Sequence, residues 1–254
     1  MQFARAAVAL AGLALLLAGC ATTPEHGNSV SRDGPLLMQF SAAVPGQPLP
    51  ADWEPWSLAA FKRPTQYNLV DYDGRTVLEA RSDGAASGLI HAVRFDPKAF
   101  PVLTWRWKVT GLISKADNTR ARSEDSPVRI VVAFEGDRKK LKPMDQLVFT
   151  QFRMLAKTEL PYATLMYIWE NRAAPGTVID SAHTSRIKMI VAASGEGDVG
   201  KWTERSVNLY EDYRRAFGED PPAVKWIGVM TDTDNTGQAA HAYYGDIRVS
   251  THAR

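Results

Sequence analysis

Residues 103–110 read Leu-Thr-Trp-Arg-Trp-Lys-Val-Thr, and this alternation restricts the fold more than any other stretch. In an extended chain, successive side chains point to opposite faces. Leu103, Trp105, Trp107 and Val109 therefore share one face, and Thr104, Arg106, Lys108 and Thr110 share the other. Such a strand belongs in a sheet with one buried and one solvated side, as in an antiparallel sandwich. Trp105 and Trp107 are expected in the core. Residues 128–134 are apolar on both faces apart from Arg129, which suits a central strand.

The same reading extends along the chain. Further strands are expected at 36–40, 67–70, 76–81, 88–95, 162–170, 186–193, 201–208, 224–231 and 239–250. Turn residues separate them: Asp73-Gly74, Asp83-Gly84, Glu135-Gly136-Asp137 and Asn235-Thr236-Gly237. Helix is minor. Residues 210–217 suit two turns ended by Gly218, with Pro221-Pro222 preventing continuation. Residues 145–157 read as a short amphipathic helix or a loop. No fixed-period repeat occurs, and the regular intervening helices of a doubly wound fold are absent. The expectation is an all-β sandwich or barrel with one or two short helices, as a single domain over 36–254.

The N-terminus carries an address. Arg5 precedes a run of Ala, Val, Leu and Gly from Ala6 to Ala18, the pattern of a secretory signal. The run is shorter than the roughly 20 residues needed to span hydrocarbon. Leu17-Ala18-Gly19-Cys20 closes it and resembles a bacterial lipobox. That resemblance implies a signal peptide over 1–19, cleavage before Cys20, diacylglycerol on its sulfur and an acyl chain (such as palmitate) on its amino group. Three chains would make the membrane anchor effectively permanent. In a Gram-negative cell, Ala21 implies an outer-membrane lipoprotein facing the periplasm, because the inner-membrane retention signal is Asp at that place. Residues 21–35, rich in Thr, Pro, Gly, Asn and Ser, read as a flexible tether that keeps the domain about 20 Å from the lipid.

Cys20 is the only cysteine. Once it is acylated, a disulfide framework, a thiolate metal site and a cysteine nucleophile are all excluded. A net charge of +2 provides no field for nucleic acid. Lys139-Lys140 and Arg214-Arg215 are short, with carboxylates near in sequence, and read as solvated faces.

Residues that could carry chemistry are few. Gly195-Glu196-Gly197-Asp198-Val199-Gly200 matches a dinucleotide pattern, yet Glu196 and Asp198 would repel a pyrophosphate and no helix start follows. A hairpin loop is the better reading. His183 and Ser185 would share a strand face almost 7 Å apart, with no nucleophile elbow, so no serine hydrolase is assigned. Asp232, Asp234 and Thr236 alternate before Gly237 like the first half of a calcium loop, but the twelfth position is Tyr243. An EF-hand is excluded. A single-loop structural calcium site drawing on Asp232, Asp234, Thr236 and Asp246 remains open, beside a hydrogen-bonded Asx turn. Trp202 and Trp226 are candidate stacking platforms.

Several stretches together resemble the bacterial domain-of-unknown-function family 3047 over roughly Leu36 to Val249. They are Leu78-Glu79-Ala80-Arg81-Ser82, Ala86-Ser87-Gly88-Leu89, Leu103-Thr104-Trp105-Arg106-Trp107, Tyr210 to Gly218, Met230 to Gly237, and Tyr243-Tyr244-Gly245-Asp246-Ile247. The last is similar to the closing strand of jelly-roll carbohydrate-binding modules, which implies a galactose-binding-like sandwich. The expected function is a non-catalytic binding module for envelope glycan, using Asp232, Asp234, Asn235, Trp202 and Trp226. Two alternatives stay open: an interaction or structural accessory of an envelope protein complex, and a hydrolase with an unfamiliar site.

Overall fold

The computed structural model describes residues 36–57, 59–156 and 160–252. The lipobox and the tether lie outside them. Thirteen strands form two sheets: β1 (Leu36–Met38), β2 (Trp53–Ser57), β3 (Gln66–Tyr72), β4 (Arg75–Asp83), β5 (Ala86–Phe95), β6 (Val102–Val109), β7 (Ser126–Phe134), β8 (Ala163–Glu170), β9 (Val178–Asp180), β10 (Ile187–Ser194), β11 (Thr203–Asn208), β12 (Val224–Asp232) and β13 (Ala239–Ser250). The helices are α1 (Pro143–Ala156) and α2 (Leu209–Phe217). The first sheet runs β11-β6-β13-β4-β3, with β1 also paired to β13; the second runs β2-β5-β12-β7-β8-β10-β9. This is the all-β sandwich that the alternation predicts.

The period-2 pattern explains the layering. Leu103, Trp105, Trp107 and Val109 point between the sheets and are fully buried, whereas Thr104, Arg106 and Lys108 are half-buried on the outer side. Trp105 meets Tyr167 of β8 with ring centroids 5.1 Å apart, and Trp107 meets Trp169 at 6.3 Å. Aromatic pairs therefore join the two sheets across the core. One end is closed by α2, where Tyr213 packs on Phe134 at 4.5 Å. The Asn208 side chain caps α2 by accepting from Glu211 N–H, and Gly218 ends it at φ 72°.

β7 occupies the centre of the second sheet and is buried along its whole length. Both faces of this sheet are apolar. A second cluster, including Val131, Met166, Ile168, Met189, Trp226 and Met230, covers the side away from the sandwich core. Two short strands escape the sequence reading. β2 is an edge strand carrying Pro55, and β9 has only three residues. The sheet also departs from a purely antiparallel arrangement, because β8 and β10 pair in parallel.

Candidate functional site

An open groove of about 430 Å3 lies on the outer face of the second sheet. Arg129 of β7 and Met230 of β12 are register partners on its floor. The register slips between Met230 and Asp232, so Asp232 accepts from Ser126 N–H at 3.1 Å and also turns toward Arg129. Trp56, Phe61 and Phe152 supply rings to the lining, and Lys62, Gln151, His183, Asp234 and Asn235 supply polar groups. α1 contributes Val148, Gln151 and Phe152. Its position is set by Asp145, whose carboxylate accepts from Thr184 Oγ1 at 2.7 Å, Ser185 N–H at 3.1 Å and Ser185 Oγ at 2.7 Å.

Arg129 is the only charge within the apolar β7 run, and its guanidinium is held on every side. Nε donates to Asp232 Oδ1 at 2.8 Å and Nη2 to Asp232 Oδ2 at 3.1 Å. Nη2 also reaches the Glu124 carbonyl at 2.9 Å, and Nη1 lies 3.2 Å from Met189 Sδ. Burial pushes the Asp232 carboxyl up to about 6 even though the Arg129 charge pulls it down. Asp234 is neutralised separately by Lys62 at 2.7 Å. The neighbouring Asp125 is fully buried and accepts from Asn235 N–H at 3.2 Å and Thr236 N–H at 2.7 Å.

Of the residues predicted from sequence, the fold brings Asp232, Asp234 and Asn235 together in this groove. Trp226 lies on the same side of the sheet, packed at a tilt against Trp56 with centroids 5.2 Å apart. Trp202 does not join them. It precedes β11 in the first sheet and packs with Tyr72 and Tyr243 beneath Arg106. The two tryptophans cannot form one platform, because they stand on different sheets.

The calcium set also divides. Oxygens of Asp125, Asp232 and Asp234 lie within 4.8 Å of one another, but Asp246 belongs to the first sheet and accepts from Ser41 N–H and Oγ at 2.9 and 2.6 Å. The Thr236 hydroxyl accepts from Gln238 N–H at 3.4 Å. Calcium takes 6–8 oxygen ligands. Asp232 meets Arg129, Asp234 meets Lys62 and Asp125 accepts two backbone N–H groups, so the converging carboxylates are each already engaged, and the four predicted ligands do not form one site.

Sequence reasoning missed Arg129, Lys62 and Asp125 as site residues. A charge inside an apolar run is the available signal for Arg129; Lys62 and Asp125 carry none. His183 is exposed, and Ser185 Oγ donates to Asp145 rather than to His183.

The chain belongs to the family described as protein of unknown function (DUF3047), whose model matches residues 51–248. No curated protein matches it. Among solved structures it is similar to the family 11 carbohydrate-binding module of a cellulosomal cellulase of Clostridium thermocellum, at 8% identity and TM-score 0.42, over 84% of this chain and 92% of that one. It is also similar to a cellulose-induced protein, Cip1, at 9% identity and TM-score 0.33, over 79% and 92% of the two chains. The glycoside hydrolase domain structure of Endo-D from Streptococcus pneumoniae R6 matches at 9% and 0.33, over 80% of this chain and 22% of that one.

Proposed function

We propose that the protein is a non-catalytic binding module for envelope glycan, held at the outer membrane by lipid on Cys20, and that the groove over β7 and β12 is its ligand site. One observation carries this reading. Aromatic rings and hydrogen-bonding side chains line the same open groove, while Arg129 and Lys62 are already paired with Asp232 and Asp234. A sugar presents apolar C–H faces and a rim of hydroxyls, which match rings and polar groups respectively. The volume falls within the range of about 300–1,000 Å3 typical of ligand clefts.

The raised ionisation of Asp232 favours a second reading, as the acid of a hydrolase. Against it, Asp232 is only 4% exposed and both its oxygens are occupied by Arg129. A glycosidase needs two carboxyls free to approach the substrate, about 5–9.5 Å apart.

The test uses residues at the rim, since removing Asp232 would strand Arg129 in the core. Phe61→Ala and Asp234→Asn/Asn235→Ala are expected to weaken retention of envelope-glycan fragments by about tenfold each, the loss of a stacked ring or of one to two hydrogen bonds. Wild-type protein is expected to release no reducing ends. Undiminished retention by both variants would remove the groove as the site. Reducing-end release that is lost in an Asp232→Asn variant shown by near-ultraviolet circular dichroism to remain folded would establish the hydrolase instead.

A further inference from the structure

We propose that α1 is a membrane-docking element that seats the domain on anionic phospholipid. The inference uses a surface outside the polar floor of the groove and stands independently of the glycan reading. Among the described residues, the exposed large apolar side chains are Val44, Phe61, Met144, Leu147 and Met154. Three of the five are on α1, and Phe61 shares the groove lining with Val148 and Phe152 of that helix. At about 100° per residue, Met144, Leu147 and Met154 fall within about 80° of one another and form one stripe along α1. The opposite side packs inward, with Phe149 and Phe152 against Leu141 and Leu160. Met154 is 77% exposed and Met144 70%, so the stripe is bare.

Cations flank it. Lys139 and Arg153 line a second, smaller cleft of about 180 Å3 together with Arg138, Gln146, Phe149 and Thr150. Lys139, Lys140, Lys142 and Arg153 make no ion pair among the described residues. Lys139 and Lys140 are exposed, the solvated face that the sequence suggests, although no described carboxylate pairs with either. Asp137 is turned to the Lys139 backbone N–H, and Asp145 is directed inward to Thr184 and Ser185. By contrast Arg214 and Arg215 do pair, with Asp220 and Asp212.

A helix with a bare apolar stripe and unneutralised cations beside it matches the headgroup–acyl boundary of a membrane. The cleft receives a lipid phosphate through Lys139 and Arg153, while Met144, Leu147 and Met154 enter the acyl edge. Unbranched thioether side chains suit that irregular medium.

The full-length chain, reconstituted in phosphatidylcholine vesicles with or without phosphatidylglycerol, tests this without any label. Limiting peroxide converts exposed methionine to sulfoxide, and peptide mass spectrometry reads Met144 and Met154 separately. Any anchor at Cys20 contributes equally in both vesicles. Oxidation of both methionines is expected to slow several-fold when phosphatidylglycerol is present. Lys139→Gln/Lys140→Gln/Lys142→Gln, with its fold verified by near-ultraviolet circular dichroism, is expected to weaken docking about a hundredfold, at roughly fivefold per lysine. Equal rates in the two vesicles, or protection that survives the triple variant, would overturn the proposal. Protection in vesicle-free detergent solution that rises with protein concentration would assign the stripe to a second copy, and would overturn it too.

Discussion

Arg129 shows how one residue can organise a site without contacting a ligand. Its guanidinium sits in the middle of a sheet that is apolar on both faces, and it is tolerated because Asp232 meets it with both oxygens. Breaking a buried pair of this kind costs more than the pair contributes, because the remaining charge stays desolvated. The same burial gives the pair a pH signature. An unfolded Asp titrates near 3.9, whereas burial raises folded Asp232 to about 6. Between those values the folded protein holds a proton that the unfolded chain has lost. The contribution of Asp232 to stability is therefore complete below the unfolded value and lost as pH rises through about 6, by about 1–3 kcal/mol. Urea unfolding across that interval is expected to show this decline in the wild type and its absence in Asp232→Asn, which should also be less stable throughout. A wild-type profile that rises over the same interval and is unchanged by the substitution would contradict the assignment. In the sequence, Asp232 stood out because it lies in an acidic loop, but its partner is 103 residues away. Only strand register brings the two together.

At the scale of elements, α1 is fixed by one carboxylate. Burial acts to raise Asp145, but hydrogen bonds from Ser185 and Thr184 outweigh it and hold the group below the usual carboxylate range. Its stabilising effect is present above the unfolded value and is lost as pH falls through the folded one. Asp145→Ala is expected to cost about 2–4 kcal/mol, as Thr184 and Ser185 lose a charged acceptor. Amide exchange is expected to quicken in α1 while β7 and β12 remain protected. Uniform loss of protection across both sheets would show that α1 is integral to the core instead. The extended elements were largely legible: each of the eleven expected strands is present, because period-2 alternation and Gly or Asp turns survive in this chain. β2 and β9 were not, since short edge strands bury too little to impose a pattern. The parallel β8–β10 pair was hidden for a different reason. A strand buried on both faces has the same apolar composition whichever way its neighbour runs. For residues 145–157 the reading stayed between helix and loop. The helix forms there with its apolar stripe facing outward, so amphipathicity alone could not show which face packs inward.

The whole molecule has two unlike outer faces. Beyond the first sheet lie Tyr72, Trp202 and Tyr243 with Arg106 and Lys108, a mixed aromatic and cationic layer. Beyond the second sheet lie the groove, α1 and the basic cleft. Among the described residues, four of the five exposed large apolar side chains, Phe61, Met144, Leu147 and Met154, belong to the groove or to α1, so a lipid surface would select one orientation of the domain. Acyl lipid at Cys20 and the surface of α1 would thus have separable roles, retention and alignment. On the proposed lipidation, Cys20→Ser is expected to release the protein from the membrane fraction or leave it mislocated, since the acyl chains would supply the stable anchor. The Lys139→Gln/Lys140→Gln/Lys142→Gln variant is expected to stay with the membrane through its lipid while losing methionine protection. Fractionation of cells expressing each variant separates the two roles. Full outer-membrane retention by Cys20→Ser would show that the acyl anchor is not what holds the protein there.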